Sequence, residues 1–228
     1  MASETTTDAR VPARIRVYNW VREGILRSEL QPGAFLDEAT VCEAVGVSRT
    51  PVREAFHQLA AEKFLVLSPR RGAQVSSVTA RDLVEGYEMR RVLEGYAFRT
   101  LIGRGFKPRR DVFDLLDQMS DPERVARCVQ GDLDELFESI ELDRRFHRTI
   151  VAATGNAVLT EMYDHLRSRQ QRLTVSVVQA KPDRVAVINR QHAELAQALI
   201  DGDAERAVSV LEEHLRPLDS VMEKLPSS

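Results

Sequence analysis

The chain has 228 residues, 43% of them hydrophobic, and a formal net charge of −3. That is enough apolar material for one large domain or two smaller ones. The charge excludes nucleic-acid binding through bulk positive charge, so any DNA affinity must come from a local basic patch.

Charge divides unevenly along the chain. Residues 1–77 hold ten Lys and Arg against nine Asp and Glu, and residues 78–228 hold 22 against 26. The two cysteines, Cys42 and Cys128, lie in helical patterns with no C-x-x-C spacing. They read as small apolar fillers in a reduced, cytoplasmic protein. No apolar run approaches the roughly 18 residues of a membrane span, and MASETTTDAR lacks the apolar core of a signal peptide. No membrane partner is therefore expected, and residues 1–9 are expected to be disordered.

Residues 11–28 place Ile15, Tyr18, Val21, Ile25 and Leu26 on one helical stripe. Pro32 and Gly33 break it. Residues 37–44 form a short helix closed at Gly46. Ser48 is placed to cap a third helix running to about Lys63, with Val52, Ala55, Phe56 and Leu59 inward. In FLVLSPRRGAQVSSV the period changes to that of strands around the turn-rich SPRRG, which reads as a β-hairpin. Helix, helix, tight turn, helix, hairpin is the order of a winged helix-turn-helix.

From Thr79 onward only helical periodicity remains. The segments run over 80–103, 108–130 with a break at Pro122, 132–154, 156–179, 185–201 and 203–221, separated by Gly or Pro punctuation. The fold class is therefore mostly α. A winged helix-turn-helix domain covers 10–77, and an all-α bundle of six or seven antiparallel helices covers 78–222. SSVTARD marks the boundary, with Thr79 a candidate N-cap.

GVSRTPVREAFHQLAAEKFL (46–65) is the first functional segment. Gly46 permits a sharp turn, and Ser48, Arg49, Thr50 and Arg53 crowd the start of the next helix. A helix N-terminus presents free N–H groups to phosphate, and the two hydroxyls add donors. Arg49 and Arg53 lie four apart on one face, where either can fork onto a guanine edge. Arg70 and Arg71 beside Gly72 add charge at the wing. The plain alternative is a solvated face with Arg53 beside Glu54.

Five histidines are present, at 57, 147, 165, 192 and 214. His57 falls on the third helix as a DNA-facing or surface residue, and His165 reads as structural. His192 lies ten residues before Gly202 and His214 twelve after it. At a rise of about 1.5 Å per residue, both stand about 15–18 Å from a turn at DGD, level on adjacent helices. Asp143 and His147 sit one helical turn apart before Gly155. One carboxylate and three imidazoles from three helices can converge on a divalent cation, Zn²⁺, Ni²⁺ or Mn²⁺. The alternative for Asp143–His147 is an ordinary i, i+4 surface contact.

The segment ELQPGAFLDEATVCEAVGVSRTPVREAFHQLAAEKFL, followed by the RRGAQV wing, resembles the winged-helix domain of GntR-superfamily transcription regulators. YEMRRVLEGYAF, DRRFHRTIVAATGN, QHAELAQALIDGDAERAV and EHL resemble the FadR-type effector domain, FCD, in its metal-binding branch. Six effector helices suit the VanR-like group. The resemblance implies a homodimer on palindromic, double-stranded operator DNA. It implies DNA contacts from Ser48, Arg49, Thr50, Pro51 and Arg53, with Arg71 and Gly72 at a wing tip in the minor groove. It implies the metal set Asp143, His147, His192 and His214. It also implies an effector site of Arg90 and Glu94, in which Arg90 reaches the carboxylate of a small organic acid. Where some family members carry an Arg on the second helix, this chain has Ala39.

Three functions follow from these residues. The first is a ligand-responsive repressor with a metal-assisted carboxylate site. The second is a metal sensor or structural-metal regulator without an organic effector; Arg90 argues against it. The third is a metallohydrolase or lyase. No general base other than Glu94 stands near the ligand set, and a DNA-reading module has no role in an enzyme, so no enzyme activity is expected.

Overall fold

The structure is a computed structural model describing residues 11–69, 71–166, 175, 177, 181 and 183–226. The expected disorder of residues 1–9, the wing residue Arg70 and most of the segment 167–180 lie outside the described residues. The chain divides into two compact units, Met1–Ser77 and Val78–Ser228.

The first unit begins with α1 (Ala13–Leu26), followed by β1 (Phe35–Leu36), α2 (Glu38–Val45), α3 (Arg49–Ala61), β2 (Leu65–Ser68) and β3 (Gly72–Val75). Asp37 caps α2 by accepting from the amides of Ala39 and Thr40 at 2.9 and 3.3 Å. Gly46 ends that helix at φ 68°, a left-handed conformation that a side chain disfavours, and its amide returns to the Cys42 carbonyl. The chain turns there into α3. Ser48 occupies the N-cap position with extended backbone, but its side chain makes no cap hydrogen bond, contrary to expectation. Val52, Phe56 and Leu59 form the buried face of α3, and Val17, Val21 and Phe64 are buried in the same unit, each at most 2% exposed. Burying each such side chain contributes about 1.5–3 kcal/mol, which fixes the face that α3 turns outward.

The expected hairpin is present and acquires a third strand. β2 and β3 pair antiparallel, Leu65 opposite Val75 and Ser68 opposite Gly72, and β1 adds to the other edge of β3. That third strand explains Gly72. A Cβ at this position would stand 2.2 Å from the Leu36 carbonyl oxygen, and φ is 90°.

The second unit contains α4 (Ala80–Gly103), α5 (Arg110–Ser120), α6 (Pro122–Val129), α7 (Leu133–Ala153), α8 (Ala157–His165), α9 (Arg184–Asp201), α10 (Ala204–His214) and α11 (Asp219–Met222). Thr79 caps α4 through a full capping box with Asp82. One expected break is present, and one segment expected as a single helix is divided. Pro122 opens α6, with Asp121 accepting from the Arg124 amide at 2.8 Å, so 108–130 is two helices. The segment 203–221 stops at His214. Pro217 has no N–H to bond back to residue 213, and α11 restarts beyond it. The expected helix over 156–179 is described to His165. The main core joins Leu83, Phe98, Phe146, Ile150, Leu195 and Leu211 from α4, α7, α9 and α10. A smaller cluster of Leu93, Ala97, Val151, Leu159 and Tyr163 seats α8 against α4 and α7.

Candidate metal centre and DNA-reading helix

The buried stripes of four helices carry polar residues where apolar ones are expected. On α4 the inward positions run Leu83, Tyr87, Arg90, Glu94, Ala97 and Leu101. On α7, Leu136 and Ile140 precede Asp143 and His147, and Ile150 follows. His192 takes the corresponding place on α9 and His214 on α10. A charged or polar side chain at such a position is costly unless it finds partners.

The partners are each other. His147 Nε2 lies 3.0 Å from His192 Nε2 and 3.1 Å from His214 Nε2. Asp143 Oδ1 lies 3.2 Å from His192 Nε2 and 3.8 Å from His147 Nε2. His192 is fully buried, His147 and His214 nearly so, and the Asp143 side chain is 13% exposed. One ligand atom from each of these four residues lies within 4.8 Å of the others, so the group could hold a metal ion.

The far sides of the rings show what the near sides need. His214 Nδ1 faces Gln191 Oε1 at 3.2 Å, and His147 Nδ1 faces Glu94 Oε2 at 2.7 Å. An oxygen acceptor at Nδ1 draws the imidazole proton there and leaves Nε2 a bare lone pair. With the protons so placed, the Nε2 lone pairs of His147 and His214 converge at 3.1 Å, an arrangement that a bound cation would relieve.

Burial lowers the affinity of His192 and His214 for protons, strongly for His214, where the neighbouring imidazoles add to it. Burial would raise the Asp143 pKa, but His192, His147 and Arg90 hold it well below the usual carboxylate range. Burial thus favours the neutral forms of His192 and His214, and the neighbouring groups favour the charged form of Asp143.

Arg90 and Glu94 are paired, but not on the surface. Arg90 Nε donates to Glu94 Oε1 at 2.7 Å, with the residues 4% and 1% exposed. Burial opposes the charge on Arg90, and Glu94, Tyr163 and Asp143 together more than offset this, raising its pKa. Burial likewise opposes the Glu94 charge, and Arg90 and His147 bring its pKa down to about 2. Arg90 Nη2 is buried with no hydrogen-bond partner among the described residues. Tyr163, 2% exposed on α8, donates to Glu94 Oε1 at 3.0 Å. Sequence reasoning did not find Tyr163 or Gln191. Tyr163 follows Leu159 by four residues and looks like ordinary core, and Gln191 carries no signal at all. His165 stays outside the cluster, exposed at the end of α8 with its Nδ1 2.7 Å from the Glu161 carbonyl.

In the first unit, Ser48, Arg49, Thr50 and Arg53 are exposed, and Pro51 is half-buried in the first turn of α3, where no N–H is needed. Arg53 is engaged. Its Nε lies 2.9 Å from both Glu38 carboxylate oxygens, and Glu38, not Glu54, is its partner. Arg71 is exposed beside Gly72, whose conformation β1 already requires. His57 is exposed on α3.

A winged helix-turn-helix unit and a helical unit holding a polar centre define a class of DNA-binding regulators. The FCD domain model matches residues 85–217, and the model of bacterial regulatory proteins of the gntR family matches residues 14–75. The chain is similar to the HTH-type transcriptional repressor RspR of Escherichia coli strain K12, 24% identical over 226 residues, 99% of this chain and 95% of the relative. It is 27% identical over 213 residues to a probable D-xylose utilization operon transcriptional repressor of Paenarthrobacter nicotinovorans, covering 93% and 89%. A GntR transcriptional regulator structure from Rhodococcus sp. RHA1 superposes with a TM-score of 0.63 at 26% identity, over 90% of this chain and 94% of that one. The chain belongs to the GntR family, in its FCD-bearing, FadR-like subfamily, a group of transcription regulators rather than enzymes.

Proposed function

We propose that the protein is a cytoplasmic repressor that binds palindromic operator DNA as a homodimer and answers to a small organic acid at a metal-assisted site. The observation that carries the effector site is the convergence of Asp143, His147, His192 and His214 beside a buried Arg90 whose Nη2 has no partner among the described residues. Zn²⁺ is the leading ion, and the donor set also suits Ni²⁺ or Mn²⁺. The bound ion supplies positive charge and coordination positions for effector oxygens. Arg90 supplies a fixed planar donor for the carboxylate. Among the described residues no helix is long and apolar enough to cross a membrane.

On the DNA side, Ser48, Arg49, Thr50, Pro51 and Arg53 present the start of α3 to the major groove, and Arg71 with Gly72 forms the wing tip at the minor groove. The partner in the homodimer sits on α4 and α8. Their outward sides leave Val92 58%, Tyr96 50%, Val158 65% and Met162 51% exposed. Glu85 stands seven residues before Val92 and Arg99 seven after it. A second α4 crossing antiparallel at Val92 therefore sets Glu85 of each copy against Arg99 of the other.

The effector acts by binding one arrangement of the dimer better than another, and the difference in affinity is the shift in operator binding. The test is fluorescence anisotropy on DNA upstream of the protein's own gene, with and without Zn²⁺ and a panel of small carboxylates. Salt-dependent, sequence-specific binding that a carboxylate weakens only with metal present is the expected result. Binding no tighter to that DNA than to a scrambled duplex at moderate salt rejects the reading. Metal-dependent binding that no carboxylate alters favours the metal-sensor alternative.

A further inference from the structure

We infer that Glu94 is a positioning residue of the metal centre, selecting the nitrogen that His147 presents to the ion and joining that imidazole to Arg90. This rests on the proposed metal site and goes beyond it. The resemblance placed Glu94 with Arg90 as an effector contact, whereas its geometry divides it between two tasks.

The carboxylate meets three buried groups from three helices. Oε1 accepts from Arg90 Nε on α4 at 2.7 Å and from the Tyr163 hydroxyl on α8 at 3.0 Å. Those two donors take up one oxygen and set the plane of the carboxylate. Oε2 is then left facing α7, 2.7 Å from His147 Nδ1. His147 is the hub of the cluster, its Nε2 lying within 3.1 Å of both other imidazole nitrogens. A ring free to turn over or to move its proton to Nε2 cannot act as a ligand there. A carboxylate at Nδ1 prevents both, and removing such an outer partner commonly weakens metal affinity by about 10–100-fold. Gln191 does the same for His214 with a neutral oxygen. Only at His147 is the outer partner also the counter-ion of the effector arginine.

One side chain thus touches both binding events. An effector carboxylate on Arg90 draws the guanidinium away from Glu94, and a cation behind His147 draws Glu94 the other way. Metal and acid affinities are consequently linked, and the linkage is reciprocal.

The experiment uses the full chain and Co²⁺ as the probe, with dissociation constants read from d–d absorption and chelator competition. Glu94→Leu, which leaves no oxygen to accept from His147, alone leaves Arg90 buried without its counter-ion, so Arg90→Met and the double variant Arg90→Met/Glu94→Leu are measured beside it. The double variant removes both charges together and keeps the interior neutral. The expected result is Co²⁺ affinity reduced about tenfold or more in both variants lacking Glu94, with the double variant compared against Arg90→Met as its matched background and at melting temperatures that leave it folded. A folded double variant that binds Co²⁺ like Arg90→Met overturns the inference and leaves Glu94 a counter-ion only. A parent protein that binds no Co²⁺ overturns the metal-site reading itself, a separable failure.

Discussion

Glu94 Oε2 and His147 Nδ1 stand 2.7 Å apart, and this contact connects the ion pair inside α4 to the ligand cluster built by α7, α9 and α10. It sets the Arg90–Glu94 pair beside the imidazoles of His147 and His214 and the Gln191 amide in the interior of the second unit. Buried polar groups so placed contribute stability only when every member is satisfied.

Metal loading should therefore be visible as thermal stability. Zn²⁺ held at a hundredfold over its dissociation constant stabilises by about 2.7 kcal/mol. For a chain of this size that is about 5–10 °C in melting temperature. The expected outcome is a drop of that size on adding a chelator, recovered by Zn²⁺, and absent in His192→Ala. Differential scanning fluorimetry reads it, and a parent protein indifferent to chelator contradicts the site.

Arg49 stands exposed at the first residue of α3 and supports no packing. Arg49→Ala is expected to weaken operator binding tenfold or more, about 1–3 kcal/mol for a lost base fork, with the melting temperature within about 1 °C of the parent. Electrophoretic mobility shift on operator and scrambled duplexes checks both affinity and specificity.

Arg53 is held by Glu38 across the helix-turn-helix. An exposed pair of this kind contributes little to stability, so it can open when phosphate or a base competes. Glu38→Gln frees the guanidinium, and the expected result is several-fold tighter binding to any duplex with a steeper dependence on salt. Unchanged affinity at 50 and 200 mM salt would show that Arg53 stays with its carboxylate on DNA.

Arg90→Ala is expected to abolish the response to carboxylate effectors. It is also expected to destabilise the second unit by about 3–5 kcal/mol, because Glu94 then stands buried without its cation. Chemical denaturation with anisotropy on operator DNA separates the two effects, since DNA binding by the folded fraction should persist.

Gly72→Ala should loosen the wing without touching α3. The added Cβ meets the Leu36 carbonyl oxygen at 2.2 Å, and β1 must leave the sheet to make room. A loss of amide protection confined to β1 and β3 in hydrogen exchange is the expected signature. If protection holds while DNA binding falls, Gly72 acts at the minor groove and not through the sheet.

The sequence by itself determined the two units, the helix proposed to read DNA and the level of the four candidate ligands. Periodicity placed α3 and its inward residues, since one apolar face per 3.6 residues admits one packing. The positions of His192 and His214 on either side of Gly202 set them at one height because helix rise is constant. Proline's local effect was written at Pro122, where a break was expected, and at Pro217, through which the expected segment ran. Tertiary structure alone decided the rest. That Arg90 and Glu94 form an interior pair, that Arg53 turns to Glu38, and that β1 completes the wing all depend on contacts between residues distant in sequence. Tyr163 and Gln191 became part of the centre only when α8 and α9 packed beside α4, α7 and α10, because a hydrogen-bond partner is chosen by position in space and leaves no period in the chain.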